Sequence, residues 1–487
     1  MSVNLGMAGK ANVVIVIFDA LRARNLSTYG YSLETDPYVK RLSKEGLVFE
    51  NFYATVDQTD PSITTIMSGR HPLTHGILRH GAEVTRKYLL VYKMTGTLLL
   101  SEILRREGYR TIAVDWIGRW HRRGYDVYGE PDKLAEHSSQ PKLLLKYPKA
   151  RRLLEEVLIH SPSILYPHLY GFFKRVGVFW GKNASSYFNI ALDLVRETVK
   201  EGKHFLLLIH LWDTHTPLNK IPRYFLEKFK PREKGETVEE MAKRIKNPLW
   251  RKAVLEYHLK GIKYVGEVEP RYNAAISYVD HYLKEFIEGL KELNIYDETY
   301  IVLTADHGDN LVRNGVFIGH GGLYQDVLKV PLIIVGPEVP RGVRVRHLAQ
   351  HVDLLPTVLS LLGVKTNYSH DGLNLVELAR GEVEPRESIL AVSSTANRRY
   401  AIVKEDYKLV YSPTLEDAMD KYSGIWLNSV IELYNIKRDP YEKENLASVE
   451  PAIVKELKRE LGRLVETYMR KRRLLITRKL SLRRGKT

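Results

Sequence analysis

Apolar runs alternate with amphipathic segments along the first 120 residues of the chain. The run NVVIVIF (12–18) has the length and the continuous apolar character of a strand buried on both faces of a parallel sheet. LVFENFYA (47–54) and YRTIAVDW (109–116) are predicted as two further strands. DPYVKRLSKEG and GTLLLSEILRREG have helical spacing, and each ends at a glycine, Gly46 or Gly108. The pattern therefore predicts a series of βαβ units.

The alternation breaks and then resumes. Residues 121–185 mix basic and aromatic side chains without a clear period and are predicted as an inserted helical lid, and residues 220–265 as a second insertion. Helices and strands then follow through HFLLLIHLWD, TYIVLTADHGD and VPLIIVGP. Short strand-like segments and a final helix come last. We expect a main α/β domain over residues 1–384, an antiparallel-sheet subdomain over 385–469 and a basic tail over 470–487.

The composition allows a large core and limits the chemistry. Of the 487 residues 44% are hydrophobic and none is cysteine, so the chain holds neither a disulfide nor a thiolate metal site. No apolar run approaches the roughly 20 residues that cross a bilayer. A signal-peptide interpretation of ANVVIVIFDAL would remove Asp19, which the chemistry below requires, and we expect a cytoplasmic protein. Abundant Lys, Glu, Arg and Tyr indicate a thermophilic source.

Much of the positive charge is concentrated in the predicted tail. The formal net charge is +16, and residues 470–487 contribute nine basic side chains and no acidic one, which leaves +7 for the other residues. Such a tail favours nonspecific peripheral contact with an anionic surface, for example anionic lipid. A solvated end of the terminal helix is the alternative interpretation, and no specific recognition of nucleic acid is expected.

Acidic and imidazole side chains follow three of the predicted strands. Asp19 ends the first strand, Asp213 and His215 follow HFLLLIHLW, and Asp306 and His307 follow TYIVLTA. Ligands of open α/β sheets bind where parallel strands end, so these side chains are expected to meet. Taken singly, each is better explained as a helix cap, a turn residue or a structural residue. Together they predict a divalent-metal site, and mixed carboxylate and imidazole donors suit Zn²⁺ or Mn²⁺.

Eight segments occur in an order and at a spacing similar to those of the sulfatase family of the alkaline phosphatase superfamily. The segments are FDALRARNLSTYGY, TDPSITTIMSGRHP, WDTHTP, TADHGDN, VPLIIVGP, VDLLPTVLSLLG, RRYAIVKEDYKLVY and ELYNIKRDPYEKENLA. The resemblance covers most of the chain apart from the two insertions and the tail. It implies an alkaline-phosphatase-like three-layer sandwich with a central, mainly parallel sheet and a smaller C-terminal domain with a four-stranded antiparallel sheet. It also implies metal-assisted attack on a sulfate or phosphate ester.

The resemblance implies a nucleophile and a set of metal ligands. Asp19, Asp306 and His307 match ligands of the family's metal. Thr59 lies where the family has its nucleophile. A hydroxyl that the metal activates also binds the metal, so Thr59 is expected to be a metal ligand as well. Helix capping by Thr59 and Ser62 is the plainer interpretation of the same segment.

Three further side chains near the expected site also match the family. His215 in DTHTP resembles the active-site histidine, which acts as the acid for the leaving group or as a ligand of a second metal. His320 in GHGG resembles a further histidine of the phosphotransferase-like branch, and we expect it to bind metal, so that one or two ions are expected. Arg119 and His121 in IGRWH resemble a GKWH segment that binds the oxygens of the ester.

The chain departs from the family at several of these positions. Phe18 precedes Asp19 where sulfatases have a pair of aspartates, so one ligand is missing. Ile63 replaces the arginine that usually follows Pro-Ser, so the basic group that clamps the nucleophile is absent. The pair Asp306 and His307 replaces the Asp-Asn pair that suits calcium, which favours Zn²⁺ or Mn²⁺ over Ca²⁺ or Mg²⁺.

Threonine at position 59 bears on the kind of ester that is cleaved. Sulfatases oxidise a cysteine or serine to an aldehyde whose hydrate attacks sulfur, and threonine cannot form that aldehyde. A metal-activated threonine instead forms a covalent ester that water must cleave, which favours phosphorus over sulfur. We therefore expect a hydrolase of a small-molecule, lipid or glycan phosphate or phosphonate ester. The alternatives are a sulfuric ester hydrolase, a phosphotransferase acting on lipid or glycan head groups, and a non-catalytic binding scaffold; the oligomeric state stays open.

Overall fold

Three sheets organise the part of the chain that the structure describes. This computed structural model describes residues 11–134, 148–176, 183–312, 318–419 and 429–484. Its strands in chain order are β1 (Asn12–Phe18), β2 (Gly46–Phe49), β3 (Phe52–Tyr53), β4 (Arg110–Val114), β5 (Val127–Gly129), β6 (Phe205–Leu211), β7 (Thr299–Ala305), β8 (Leu332–Val335), β9 (Val343–Val345), β10 (Ala349–Gln350), β11 (Ser388–Val392), β12 (Tyr400–Lys404), β13 (Tyr407–Tyr411) and β14 (Ile431–Asn435).

The largest sheet has eight strands in the order β5-β4-β6-β1-β7-β8-β2-β9. Its neighbouring strands are parallel except where β8 pairs with β7 and with β2. β1 lies between β6 and β7, and every residue of β1 is buried, as expected of a strand covered on both faces. The prediction of an α/β fold with a central, mainly parallel sheet is confirmed.

Helices pack on this sheet in two groups. The α-helices are α1 (Pro37–Leu42), α2 (Thr59–Ser68), α3 (Pro72–His75), α4 (Arg86–Met94), α5 (Leu100–Arg106), α6 (Pro131–Leu134), α7 (Pro148–His160), α8 (Tyr166–Val176), α9 (Ala184–Lys200), α10 (Arg223–Leu226), α11 (Val238–Ala242), α12 (Pro248–Ala253), α13 (Val268–Glu292), α14 (Gln325–Leu328), α15 (Leu354–Leu361), α16 (Leu375–Arg380) and α17 (Pro451–Arg484). α9 packs against α13 and lies on β4 and β6, whereas α2 packs against α5 and α15.

No helix of the described ranges is both long and apolar enough to cross a bilayer.

The segment LVFENFYA forms two strands instead of the single predicted strand. β2 stays in the main sheet, whereas β3 pairs in parallel with β10 in a separate two-stranded sheet. The chain turns at Asn51, whose side-chain amide donates to the carbonyl oxygen of Arg346 at 2.7 Å. The carbonyl oxygen of Asn51 accepts from the backbone N–H of Ala349 at 3.0 Å. These bonds direct the chain away from the main sheet.

The predicted first insertion contributes to the main sheet as well as to α7 and α8. β5 falls within residues 121–185 and extends the sheet beside β4. The central part of this predicted lid, residues 135–147, and residues 177–182 lie outside the described residues. The insertion therefore begins with a strand of the core sheet.

The C-terminal residues form the predicted four-stranded antiparallel sheet. Its order is β11-β12-β13-β14, and α17 packs on β12 and β13. The sheet is tied to the main domain, because the backbone N–H of Val392 donates to the carbonyl oxygen of Thr55 at 2.9 Å. α17 runs continuously through residues 470–484, so most of the segment predicted as a tail is part of this helix.

Candidate active site

Asp19, Asp306 and His307 meet at one edge of the main sheet. Asp19 follows β1, and Asp306 and His307 follow the adjacent parallel strand β7. One ligand atom from each of the three buried residues lies within 4.8 Å of the ligand atoms of the other two. Among the residues that the structure describes, this is the cluster with the geometry of a metal site. The predicted convergence of strand ends at this edge is therefore observed for these two strands.

The turn after β1 is held in an unusual conformation. Ala20 has a φ of +61°, in the left-handed region that residues other than glycine rarely adopt. The backbone N–H of Ala20 donates to Oδ1 of Asp306 at 3.1 Å. The Tyr272 hydroxyl donates to the carbonyl oxygen of Ala20 at 2.7 Å and accepts from the backbone N–H of Arg22 at 2.8 Å. These bonds fix the direction in which Asp19 leaves the strand.

The turn after β7 requires a glycine next to His307. A Cβ added to Gly308 would lie 2.0 Å from the carbonyl oxygen of Asp326, closer than any side chain allows. The backbone N–H of Gly308 donates to the carbonyl oxygen of Val327 at 2.7 Å. Asp326 itself forms ion pairs with Arg22 and Arg24. The segment that contains Asp326 and Val327 therefore binds both the turn after β1 and the turn after β7.

The carboxylates in this cluster have the properties of cation ligands. Both oxygens of Asp19 and Oδ2 of Asp306 are buried and have no hydrogen-bond partner among the described residues. Burial, followed by the nearby carboxylates of Asp306 and Asp309, raises the pKa of Asp19 well above its usual range. Unpaired buried carboxylates are costly, and a divalent cation between them removes that cost. The residues present therefore fit a bound divalent metal.

His307 offers a lone pair to the same position. Its Nδ1 lies 2.9 Å from the carbonyl oxygen of Gly308, so Nδ1 carries the proton and Nε2 carries the lone pair. Nε2 lies 3.3 Å from Oδ2 of Asp306 and 3.9 Å from Oδ1 of Asp19. Burial lowers the pKa of His307 well below its usual range, so the ring is neutral. A neutral imidazole whose other nitrogen binds a backbone carbonyl is a typical metal ligand.

Thr59 reaches this cluster from the first turn of α2. Its Oγ1 lies 3.3 Å from Nε2 of His307, and its side chain is buried. The two residues before it are held by Ser394, in the loop between β11 and β12. The backbone N–H of Ser394 donates to Oδ1 of Asp57 at 2.6 Å, and the Ser394 hydroxyl donates to Oε1 of Gln58 at 2.5 Å. The start of α2 therefore presents a hydroxyl and a positive helix end to the cluster.

His320 and His215 lie beside the cluster. Nδ1 of His320 donates to the carbonyl oxygen of Asp57, and the ring centroids of His320 and His307 are 4.1 Å apart. The His215 ring centroid lies 6.0 Å from that of His320, and Nδ1 of His215 donates to the carbonyl oxygen of Thr216 at 2.5 Å. The structure thus brings both predicted histidines to the site, and neither is part of the three-residue ligand cluster.

Arg119 and His121 bind the carboxylate of Asp60, a residue that the sequence did not single out. Nη2 of Arg119 lies 2.5 Å from Oδ2 of Asp60, and Nε2 of His121 lies 3.2 Å from Oδ1 of Asp60. His80 approaches the same carboxylate at 2.9 Å. Burial opposes ionisation of Asp60, but hydrogen bonds from His121 and His80 outweigh it and lower the pKa of Asp60. Arg119 therefore pairs with Asp60, the residue that follows Thr59. Its contact with the oxygens of an ester stays a prediction.

Asp213 has a structural contact. Its Oδ1 accepts from the backbone N–H of Ala184 at 3.0 Å, which places Asp213 at the first turn of α9. The position at the end of β6 suggested a metal ligand, but Asp213 is not in the described ligand cluster. The side chain instead supplies an acceptor at the helix N-terminus, where four N–H groups lack intrahelical partners.

Two other buried acidic groups near the site were missed by sequence reasoning. Asp309 lies two residues after His307, and burial raises its pKa while the nearby His215 opposes the shift. Asp115 follows β4 and lies 2.9 Å from Nδ1 of His210, whose Nε2 is 3.9 Å from Oδ2 of Asp19. The position of Asp115 at a strand end was a usable signal, because β4 is parallel to β6.

Comparison with known proteins places this geometry in a family. The sequence profile of the Sulfatase family matches residues 11–364. Arylsulfatase A from Homo sapiens is 23% identical over 498 residues, covering 94% of this chain and 88% of the human protein. A sulfatase from Formosa agariphila is 22% identical over 448 residues, covering 86% of this chain and 83% of its own length.

Solved structures share the fold. A phosphonate monoester hydrolase from Agrobacterium radiobacter matches with a TM-score of 0.66 and 18% identity, covering 94% of this chain and 96% of its own. The phosphonate monoester hydrolase from Silicibacter pomeroyi matches with a TM-score of 0.66 and 17% identity over 94% of this chain and 96% of its own. At these identities the likeness shows an alkaline-phosphatase-like fold. With its profile match over most of the sequence, the chain is a member of the Sulfatase family of hydrolases.

Proposed function

We propose that this hydrolase cleaves a phosphate or phosphonate ester with the Thr59 hydroxyl as nucleophile. The observation that carries the proposal is the position of Oγ1 of Thr59, 3.3 Å from Nε2 of His307 and beside the buried carboxylates of Asp19 and Asp306. A threonine cannot be converted to the aldehyde that sulfuryl transfer in this family relies on. Its unmodified hydroxyl suits attack at phosphorus, followed by hydrolysis of the threonine ester.

The cluster of Asp19, Asp306 and His307 would hold the metal, with the Thr59 hydroxyl beside it. Two carboxylates and one neutral imidazole suit Zn²⁺ or Mn²⁺ better than Ca²⁺ or Mg²⁺. When bound, such an ion would lower the pKa of the Thr59 hydroxyl and neutralise charge on the ester oxygens. The start of α2 adds a positive helix end that favours an anion.

The chain's own residues account for the bonds and protons. The Thr59 hydroxyl first releases its proton to solvent. Its oxygen then forms a bond to phosphorus as the bond from phosphorus to the leaving alcohol breaks. His215 donates a proton to the departing oxygen, and in the second step it accepts a proton from the water that cleaves the threonine ester. The bond from phosphorus to the Thr59 oxygen breaks in this step, and that oxygen takes up a proton from solvent. The original hydroxyl of Thr59 and a free phosphate or phosphonate result.

His215 has the hydrogen bonding that this role requires. Nδ1 of His215 binds the carbonyl oxygen of Thr216, so Nε2 is the nitrogen that gains and loses the proton. Burial lowers the pKa of His215, and the carboxylate of Asp309 opposes this shift. A bound anionic ester would raise the pKa of His215, as Asp309 does. It would thereby favour the protonated ring that donates to the leaving group.

Sulfuric ester hydrolysis is the second candidate, because the similar curated proteins include sulfatases such as human arylsulfatase A. A panel of 4-nitrophenyl phosphate, a phenylphosphonate ester and 4-nitrophenyl sulfate, assayed with Zn²⁺ or Mn²⁺ after chelation, separates the two. We expect metal-dependent turnover of the phosphorus esters at the higher rate. A higher rate on the sulfate would contradict the proposal, and an empty metal site with no turnover would favour a binding scaffold.

A further inference from the structure

Two helices outside the active site lie side by side at the surface. Nζ of Lys479, near the end of α17, donates to the carbonyl oxygen of Lys93 in α4 at 2.6 Å. α17 also binds the main domain through Lys471, whose Nζ lies 2.5 Å from Oδ1 of Asp371. The last turns of α17 are therefore docked on the body of the protein with α4 as a neighbour.

The exposed side chains of this helix pair are strongly basic. Neither α4 nor residues 470–484 contain an acidic residue. The exposed cations are Arg86, Lys87, Lys93, Arg470, Arg473 and Arg478, of which Arg473 forms an ion pair with the exposed Glu466 one to two turns earlier in α17. We call these cations and the leucines between them the α4–α17 surface. Charges of one sign on neighbouring helices produce a local positive potential that attracts an anionic partner.

Large apolar side chains stand among these cations. Leu90 of α4 is 60% exposed, and Leu474 and Leu482 of α17 are 61% and 62% exposed. Single exposed leucines are ordinary on protein surfaces, but here they recur on the two helices that carry the cations. Basic residues combined with exposed leucines are characteristic of helices that lie in a membrane interface.

We propose that the α4–α17 surface docks on an anionic lipid membrane. Its cations contact lipid phosphates and carboxylates, and Leu90, Leu474 and Leu482 enter the interfacial region. Nucleic acid would satisfy the cations but would give the leucines no apolar environment. A second copy of the chain would bring two positive surfaces together, which is repulsive.

The position of the surface relates docking to the active site. α4 begins shortly after His80 and Gly81, and the backbone N–H of Gly81 donates to Oδ2 of Asp60 at 2.8 Å. Asp60 is the residue next to Thr59. Docking through α4 would therefore hold the active-site edge close to the lipid head groups. The docking itself does not depend on which ester the site cleaves.

Co-sedimentation of the full chain with vesicles tests the proposal. We expect binding to phosphatidylcholine vesicles that contain phosphatidylserine, weak binding to pure phosphatidylcholine, and loss of binding as salt is raised. The variant R470Q/R473Q/R478Q should bind roughly 100-fold more weakly. The variant L90S/L474S/L482S keeps every charge and should bind about 10-fold more weakly. These residues are exposed, so thermal unfolding of both variants should match that of the unaltered protein.

A matched control removes three exposed cations elsewhere, in the variant K203Q/R346Q/K437Q, and should bind as the unaltered protein does. Equal binding to neutral and anionic vesicles, or equal loss in the control and in R470Q/R473Q/R478Q, would overturn the proposal. Binding of duplex DNA that is unaffected in L90S/L474S/L482S, without vesicle binding, would identify a nucleic-acid surface instead. Self-association that disappears in L90S/L474S/L482S would identify a contact between copies.

Discussion

Oγ1 of Thr59 lies 3.3 Å from Nε2 of His307, although 248 positions separate the two residues in the chain. Thr59 opens α2, and His307 follows the end of β7. Ser394, in the loop between β11 and β12, binds the side chains of Asp57 and Gln58 that lead into α2. The turn after β7 is held by the bond from the Gly308 N–H to the carbonyl oxygen of Val327. The contact therefore joins two distant segments of the main domain, and the first prediction depends on it.

The hydroxyl of Thr59 is expected to be essential. Thr59→Ser keeps the hydroxyl and should retain measurable turnover, whereas Thr59→Val keeps the shape and should lower kcat/KM by at least roughly 10³-fold. The measurement is steady-state hydrolysis of the aryl ester that the panel identifies. Matching thermal unfolding of the two variants would show that both fold. Comparable activity in Thr59→Val would remove Thr59 from the mechanism.

Metal binding should reverse the effect of Asp19→Asn on stability. In the metal-free protein, Asp19 is a buried carboxylate beside Asp306 and Asp309, and burial and these charges raise its pKa. We expect metal-free Asp19→Asn to be more stable than the unaltered protein by about 1–3 kcal/mol, because the variant avoids the cost of burying an ionisable carboxyl group beside two others. Added Zn²⁺ or Mn²⁺ should raise the Tm of the unaltered protein strongly and that of the variant weakly.

The matched control for this experiment is Asp406→Asn, a carboxylate that is half exposed and lies far from the cluster in sequence. It should respond to metal as the unaltered protein does. An equal rise in Tm on metal addition for Asp19→Asn would mean that Asp19 does not bind the ion.

Asp60 is expected to stabilise the fold at pH values above the ordinary pKa of an aspartate. The folded pKa of Asp60 is lowered by His121 and His80 against the effect of burial, so the stabilisation is present above about pH 4 and is lost as pH falls further. Asp60→Asn should cost about 3 kcal/mol at pH 7, because Arg119, His121 and His80 lose the carboxylate that they bind. Arg119→Gln should cost less, since the Arg119 side chain is 36% exposed. Chemical denaturation at pH 7 and pH 3 measures both, and a constant difference would contradict this account.

Asp280 should make the protein less stable as pH rises. Burial raises its pKa to about 7, even though the backbone N–H groups of Val39 and Tyr38 bind it at 2.8 and 3.0 Å. The folded state therefore keeps a proton that the unfolded chain releases near pH 4, and stability falls between pH 4 and pH 7. Asp280→Asn removes this slope. From pH 5 to pH 8 the variant should gain about 3 kcal/mol relative to the unaltered protein.

Denaturant unfolding of both proteins at the two pH values checks the prediction for Asp280. Other titrating groups are common to both proteins and cancel in the difference. A difference in stability that does not change with pH would show that Asp280 is ionised in the folded state throughout this range.

The strand ends illustrate how far the sequence predicted the site. β1 and β7 are continuous apolar runs in the sequence, so their ends and the residues that follow them were predictable, and the cluster of Asp19, Asp306 and His307 followed. Asp213 also follows a strand, but it lies at the first turn of α9. A strand end predicts which edge of the sheet a residue occupies, whereas the packing of neighbouring helices decides which atoms it meets.

By itself the sequence determined the long apolar strands β1, β6 and β7, the long helices and the chemistry available at the sheet edge, because apolar periodicity and side-chain type are local properties. It did not determine the division of LVFENFYA into β2 and β3 or the short strand β5. Tertiary structure alone decided that Arg119 and His121 bind Asp60, that His320 lies against His307, and that Ser394 holds the turn before Thr59. The contacts of Arg119, His121 and Ser394 join residues 59 or more positions apart in the chain, and the His320 contact closes a shorter loop. The geometry of these contacts depends on how whole helices, strands and loops pack, and no local pattern in the sequence encodes that packing.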